Sequence, residues 1–199
     1  EPSRRLFFDS LEYGIKAAHP FRYDWPVMFD VKTMKVYQGT RKPGQPGQSD
    51  VGGLYAYVML QAYDLSREKR YLTEAKKAVR ALDGWKFDLM YQANNTAWGA
   101  VACLRLWPET GYGAFLGQAK WLFAGLVHNS LIWESQIGAA AHYPNFLGVT
   151  CLHDAPYMAI YECFEVFEAF EQAGRLAGDD LPEALKLVLP EYRKDALNR

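Results

Sequence analysis

Four polar residues stand directly before or at the start of apolar helical stretches: Asp50 ahead of Val51-Gly52-Gly53-Leu54, Asn94 and Asn95 ahead of Thr96-Ala97-Trp98, and Asp154 ahead of Ala155-Pro156-Tyr157. Asp and Asn at such positions are also good N-caps, because they accept hydrogen bonds from the free N–H groups of a first turn. Parallel helices would gather all four at one rim, where they could do chemistry together. Cleaving a glycosidic bond needs two carboxyl groups, one protonated to help the leaving oxygen depart and one ionised to activate water or attack. Asp50 and Asp154 are the candidate catalytic pair. Glu162 is a further candidate: on a helical wheel it falls among Val166, Ala169 and Ala173, whereas Glu165, Glu168 and Glu171 lie on the other side. Desolvation on an apolar arc would raise its pKa and suit a general acid. A Glu paired with an arginine, or facing a polar gap, is the alternative.

Proton abstraction next to a uronate carboxylate would use other parts. An amide such as Asn94 or Asn95 would neutralise the carboxylate, and a His or Tyr would take the proton. His142, Tyr143, His153 and Tyr157 are the candidates, with His142-Tyr143 in a loop the leading pair. Loop Trp85 and Trp133, and Trp98 near a helix start, could stack on sugar rings, although aromatics in a helical core usually fill it. No phosphate-binding glycine loop, Gly-x-Ser-x-Gly elbow or His-Glu-x-x-His motif occurs, which removes the usual support for nucleotide hydrolysis, serine esterase chemistry and zinc proteolysis. Neither a metal nor a cofactor is assigned.

The elements that must position these residues follow from a repeat. The pattern from Asp50 to Ala78 returns 44 residues later: Asn94 falls on Asp50, Leu104 on Leu60, and Ala114 to Lys120 on Arg70 to Lys76. A period of this length means a repeated supersecondary unit. Val51 to Leu65 is apolar around nearly its whole circumference, the mark of a helix buried on all sides. Arg67 to Leu82 confines Tyr71, Leu72, Ala75, Ala78, Val79 and Leu82 to one stripe, the mark of a surface helix. An inner helix followed by an outer one, repeated, is a helical hairpin array. The second copy runs from Thr96 to Leu106 and from Tyr112 to Val127. A looser third runs from Asp154 to Ala173, then from Pro182 to Leu189, with Pro190 expected to end it.

Arg4 to Ala18 reads as an outer-type helix stopped near His19-Pro20. Residues 25–38 suggest a short β-hairpin with its turn at Lys32-Thr33-Met34, which lacks Gly or Asn. Gly39 to Ser49 reads as a rim loop. Asn129 to Leu152 is longer than a corner requires, and such loops usually cover or form a site.

The totals bound the classes. At 199 residues, half of them hydrophobic, the chain can bury one sizeable core, and residues 1–199 are read as one domain. A net charge of -1 with no basic stripe gives no case for nucleic acid. No apolar run has the length of a membrane span, and the N-terminus lacks a charged-then-apolar signal pattern. Cys103, Cys151 and Cys163 lack metal-site spacing, and Cys103 and Cys163 fall in apolar helices, where a free thiol acts as a small hydrophobe. Compartment stays open. The chain opens on Glu1 rather than Met, as expected after processing or for a piece of something longer.

Asp50-Val51-Gly52-Gly53, Asn94-Asn95-Thr96-Ala97-Trp98-Gly99, Arg70-Tyr71-Leu72 with its echo Ala114-Phe115-Leu116, and His153-Asp154-Ala155-Pro156-Tyr157 carry a resemblance of architecture. The alternation they mark, over roughly residues 50–189, resembles the (α/α) toroids of the six-hairpin glycosidase-like superfamily. The resemblance implies an all-α fold whose inner-helix ends and loops surround a sugar-binding funnel. It implies an oligosaccharide or other small-molecule substrate, handled by a glycoside hydrolase, a polysaccharide lyase or a terpenoid-type toroid. A helical-repeat binding module without chemistry is the rival from another class. Six hairpins at this period need on the order of 260 residues. Three hairpins and a leading helix therefore imply either an incomplete ring or a segment of one that another segment or chain closes.

Overall fold

A computed structural model of the protein describes residues 2–40, 50–89, 92–134, 145–150, 157, 159–177 and 181–196. Among them are seven α-helices: α1 (Pro2–Ala18), α2 (Val51–Ser66), α3 (Lys69–Ala81), α4 (Ala93–Thr110), α5 (Gly113–His128), α6 (Ile160–Ala177) and α7 (Glu183–Ala196). Two antiparallel ribbons accompany them, β1 (Met28–Phe29) with β2 (Val36–Gln38) and β3 (Ser130–Glu134) with β4 (Asn145–Val149). None of the helices is long and apolar enough to cross a membrane.

Helix α4 is the centre. Twelve of its eighteen residues are buried, against three of seventeen in α1. Both α2 and α6 pack on α4, while α3, α5 and α7 pair with α2, α4 and α6 as outer partners. Cross-links fix the direction of the inner helices. Asp50 reaches Gln92 and Thr96 at the start of α4, and Arg105 near its end reaches Leu60 and Asp64 of α2. Asn94 meets Glu165, and Tyr57 meets Gln172 further along. The three inner helices therefore run parallel with their N-termini at one end.

Close packing of α2 on α4 requires glycine. A Cβ on Gly53 would lie 2.8 Å from the Gly99 Cα and 3.0 Å from the Asn95 carbonyl oxygen. Aromatic contacts join two outer helices to the inner α6: Phe123 of α5 on Phe170 of α6, centroids 5.4 Å apart, and Phe170 on Tyr192 of α7 at 4.4 Å.

Several boundaries differ from expectation. The β1–β2 turn manages without Gly or Asn because the Asp30 carboxylate accepts from the Lys32 and Thr33 N–H groups and the Thr33 hydroxyl, and Met34 takes a left-handed conformation at φ 60°. Pro190 does not end the last helix. It is exposed inside α7, and burial of Leu189 and Tyr192 on either side holds the helix through the missing N–H. The third inner helix begins at Ile160, later than Asp154, and the stretch expected as a long loop contains β3 and β4.

Behind the first hairpin lies a buried carboxylate. Glu74 of α3 accepts from the hydroxyls of Tyr23 at 3.0 Å and Tyr55 at 2.9 Å, with His19 Nε2 at 3.1 and 3.2 Å and Lys77 Nζ at 3.5 Å. His19 thus ties the end of α1 to α3.

Candidate functional site

The first turns of the inner helices form the candidate site. Asp50 is fully buried, and its Oδ2 accepts from the Gln92 N–H at 2.7 Å and the Thr96 hydroxyl at 2.8 Å. It makes no side-chain cap to its own helix. The carboxylate instead faces the positive end of the α4 dipole and bolts the starts of α2 and α4 together. At full burial the Asp50 side chain has no exposed surface.

Asn94 points the other way. Its Nδ2 donates to Glu165 Oε2 at 2.6 Å, across the α4–α6 seam. Its Oδ1 is buried with no hydrogen-bond partner among the described residues, an acceptor still to be satisfied. Asn95 is nearly buried and donates from Nδ2 to Gln92 Oε1 at 3.0 Å. One turn on, Trp98 lies against Tyr57 of α2, ring centroids 4.4 Å apart and planes 31° from parallel.

The Tyr57 hydroxyl then bridges to α6, donating to Gln172 Oε1 at 3.1 Å while accepting from Gln61 Nε2 at 2.7 Å. Beyond this bridge lies a hollow of about 290 Å³. Gln61, Asp64, Arg105, Gln172, Arg175 and Leu176 line it. Arg105 is paired with Asp64, and its guanidinium lies 5.9 Å from the Tyr57 ring. The inner groove is thus lined by amides, paired charges and stacked rings.

Of the other sequence candidates, Glu162 is half-buried, but it is Glu165, three residues on, that reaches α4. Trp133 sits in β3 with Nε1 donating to the Gly148 carbonyl at 3.2 Å, and β4 packs on α6 and α7. Tyr157 is half-exposed just before α6. His142, Tyr143, His153 and Asp154 lie outside the described residues. Sequence reasoning missed Tyr57, Gln61, Arg105, Glu165 and Gln172. The signal was there: Tyr57, Gln61 and Asp64 recur every three to four residues on an otherwise apolar helix, and Arg105 is a lone cation in α4.

Parallel inner helices with outer partners and a polar rim at the inner N-termini are the (α/α)-toroid arrangement of helical hairpins. Solved structures agree on that fold. The α-1,6-mannanase GH76A of Salegentibacter sp. HEL1_6, as an inactive variant in complex with α-1,6-mannotriose, matches at a TM-score of 0.53 and 13% identity, over 90% of this chain and 48% of the mannanase. A second structure of that mannanase matches at 0.51 and 12%, over 90% and 50%. A further inactive variant, in complex with α-1,6-mannotetrose, matches at 0.50. The chain spans about half the length of the mannanase it resembles, and identity at this level establishes the fold alone. No family model and no curated protein matches the chain.

Proposed function

We propose that the chain is a carbohydrate-active protein of the glycoside hydrolase kind, receiving an oligosaccharide at the Asn94–Glu165 end of the inner groove. The observation that carries this is the Asn94–Glu165 pair, backed by the Trp98–Tyr57 stack, at the inner-helix N-termini of a glycosidase-like toroid. In this reading Glu165 and Asp154 form the carboxyl pair, and Asp50 positions the first turn of α4. One carboxyl gives its proton to the glycosidic oxygen as the C–O bond breaks. The other takes a proton from the water whose oxygen bonds to the anomeric carbon.

The reading includes completion of the ring by another segment or chain. Ile160, Tyr161 and Phe164 are exposed on α6, although an inner helix of a closed ring has neighbours on both sides.

One observation favours a second reading, binding without cleavage. The inactive mannanase variants have two consecutive aspartates changed to asparagine or to alanine, and both are in complex with oligosaccharide. Here the consecutive pair at the start of α4 is Asn94-Asn95. The test follows reducing ends, conjugated double-bond absorbance and calorimetric binding with α-1,6-mannotriose and a panel of neutral and uronate oligosaccharides. New reducing ends that vanish in Glu165→Gln and Asp154→Asn support hydrolysis. Binding without new ends supports the second reading, and Asn94→Asp with Asn95→Asp then asks whether carboxyls restore cleavage. New absorbance lost in Tyr143→Phe or His142→Ala overturns both in favour of a lyase, and absence of binding to any sugar discards the proposal.

A further inference from the structure

The outer wall carries an aromatic hollow that the inner groove does not use. Trp121 lies on α5, an outer helix, with 43% of its surface exposed. Gly117 lies one turn before Trp121 on the same helix, and both line one hollow. Gly117 contributes no side chain, and a Cβ built there would meet nothing within 4 Å. The result is a cavity of about 230 Å³, walled by the indole, floored by Ala114 and Gly117, and edged by Asp83, Lys86 and Gln118.

The aromatic wall is braced. Phe87 meets Trp121 edge-on at 5.4 Å and 88°, and the His128 ring lies 5.7 Å from Phe87. Lys86, the first residue of the short 3₁₀ turn Lys86–Leu89, has a left-handed backbone at φ 51°, unusual for a residue with a long side chain. Its ammonium lies 5.6 Å from the Trp121 ring centroid. Gln118 is anchored by its Nε2 donating to the Val79 carbonyl at 2.9 Å, which leaves its Oε1 as an acceptor.

The chemistry of this lining selects its ligand. The half-exposed indole, partly covered by the Lys86 ammonium, offers its remaining apolar surface to the C–H groups of a ring. One carboxylate, one ammonium and one amide beside it give acceptors and donors in near-equal number with no net charge, which disfavours a simple anion or cation. A compact molecule with an apolar face and hydroxyls around its edge fits both features. We infer that the hollow between the end of α3 and the middle of α5 is a second saccharide site. It takes a single pyranose ring against Trp121, on the opposite side of the helical wall from the inner groove.

The glycine supplies a test that spares the fold. Gly117→Leu fills the cavity from inside a regular helix and replaces the poorest helix former but proline with a good one, so lost binding would not report unfolding. Methyl glycosides of glucose, galactose and mannose are titrated into ¹⁵N-labelled protein, following the indole N–H signals, with that of Trp121 assigned by Trp121→Phe. The expected result is a saturable shift of the Trp121 signal for at least one glycoside, unchanged in Asn94→Ala and reduced at least tenfold in affinity in Gly117→Leu. No shift at Trp121 with any of the three, or a shift that persists in Gly117→Leu, overturns the inference. A shift confined to Trp98 also overturns it while leaving the inner-groove reading standing.

Discussion

Two acidic residues show how burial decides what a carboxylate can do. Asp50 accepts two hydrogen bonds from α4 at full burial, so Asp50→Asn turns an amide N–H₂ or a weaker acceptor towards donors that need a charge. We expect a stability loss of about 2 kcal/mol, measured by urea denaturation. A variant as stable as the parent yet inactive would show a catalytic rather than a positioning role. Glu74 is the second case. Burial pushes its carboxyl up, but hydrogen bonds from His19, Tyr55 and Tyr23 outweigh it and hold the group below the ordinary 4.5. A lowered folded pKa means stability that is present above the unfolded value and lost as pH falls through the folded one. The thermal midpoint should therefore drop from about pH 4.5 downward more steeply in the parent than in Glu74→Gln, with His19, Tyr23, Tyr55 and Lys77 unchanged. Equal slopes would remove Glu74 from the acid transition.

At the scale of elements, the inner-helix seam depends on two backbones meeting. With a Gly53 Cβ 2.8 Å from the Gly99 Cα, Gly53→Ala must push α2 from α4. The cost should be about 1–3 kcal/mol by the overpacking rule, despite alanine's better helix propensity. Gly113→Ala, where a Cβ meets nothing, should be neutral or stabilising by thermal melt. The inner and outer character of the helices was legible in the sequence because it is a matter of which faces are apolar, and Val51–Ser66 and Lys69–Ala81 differ plainly in that respect. The rim was legible only as caps. Nothing local distinguishes Asp50, turned inward to α4, from Asn94, turned across to Glu165. Those choices depend on which helix becomes the neighbour, a fact of tertiary packing. Glu165 was read as facing away for the same reason: a helical wheel gives faces, and only the fold says which face meets α4.

Across the whole molecule, burial is graded outward from α4, and stability should follow the same gradient. Helix α1 has three buried residues, packs Phe7, Phe8 and Ile15 on the core as partly buried side chains, and is tied further by His19 and Tyr23 to Glu74, Glu12 to Arg70 at 2.7 Å, and Arg4 to the Leu65 carbonyl at 3.0 Å. Elements with few buried apolar contacts open without global unfolding. Native-state hydrogen exchange should therefore show the α4 amides opening only with the global transition, and the α1 amides opening at least roughly 2 kcal/mol more easily. Glu74→Gln should lower protection in α1 well before it changes that of α4, because it cuts the ties of one element and leaves the inner seam intact. Equal protection in α1 and α4 would mean that the leading helix belongs to the core unit. The same experiment reads the exposed flank of α6: if another segment completes the ring, its addition should raise protection in α6 and α7 and leave α1 to α3 unchanged unless the ring also closes on that side.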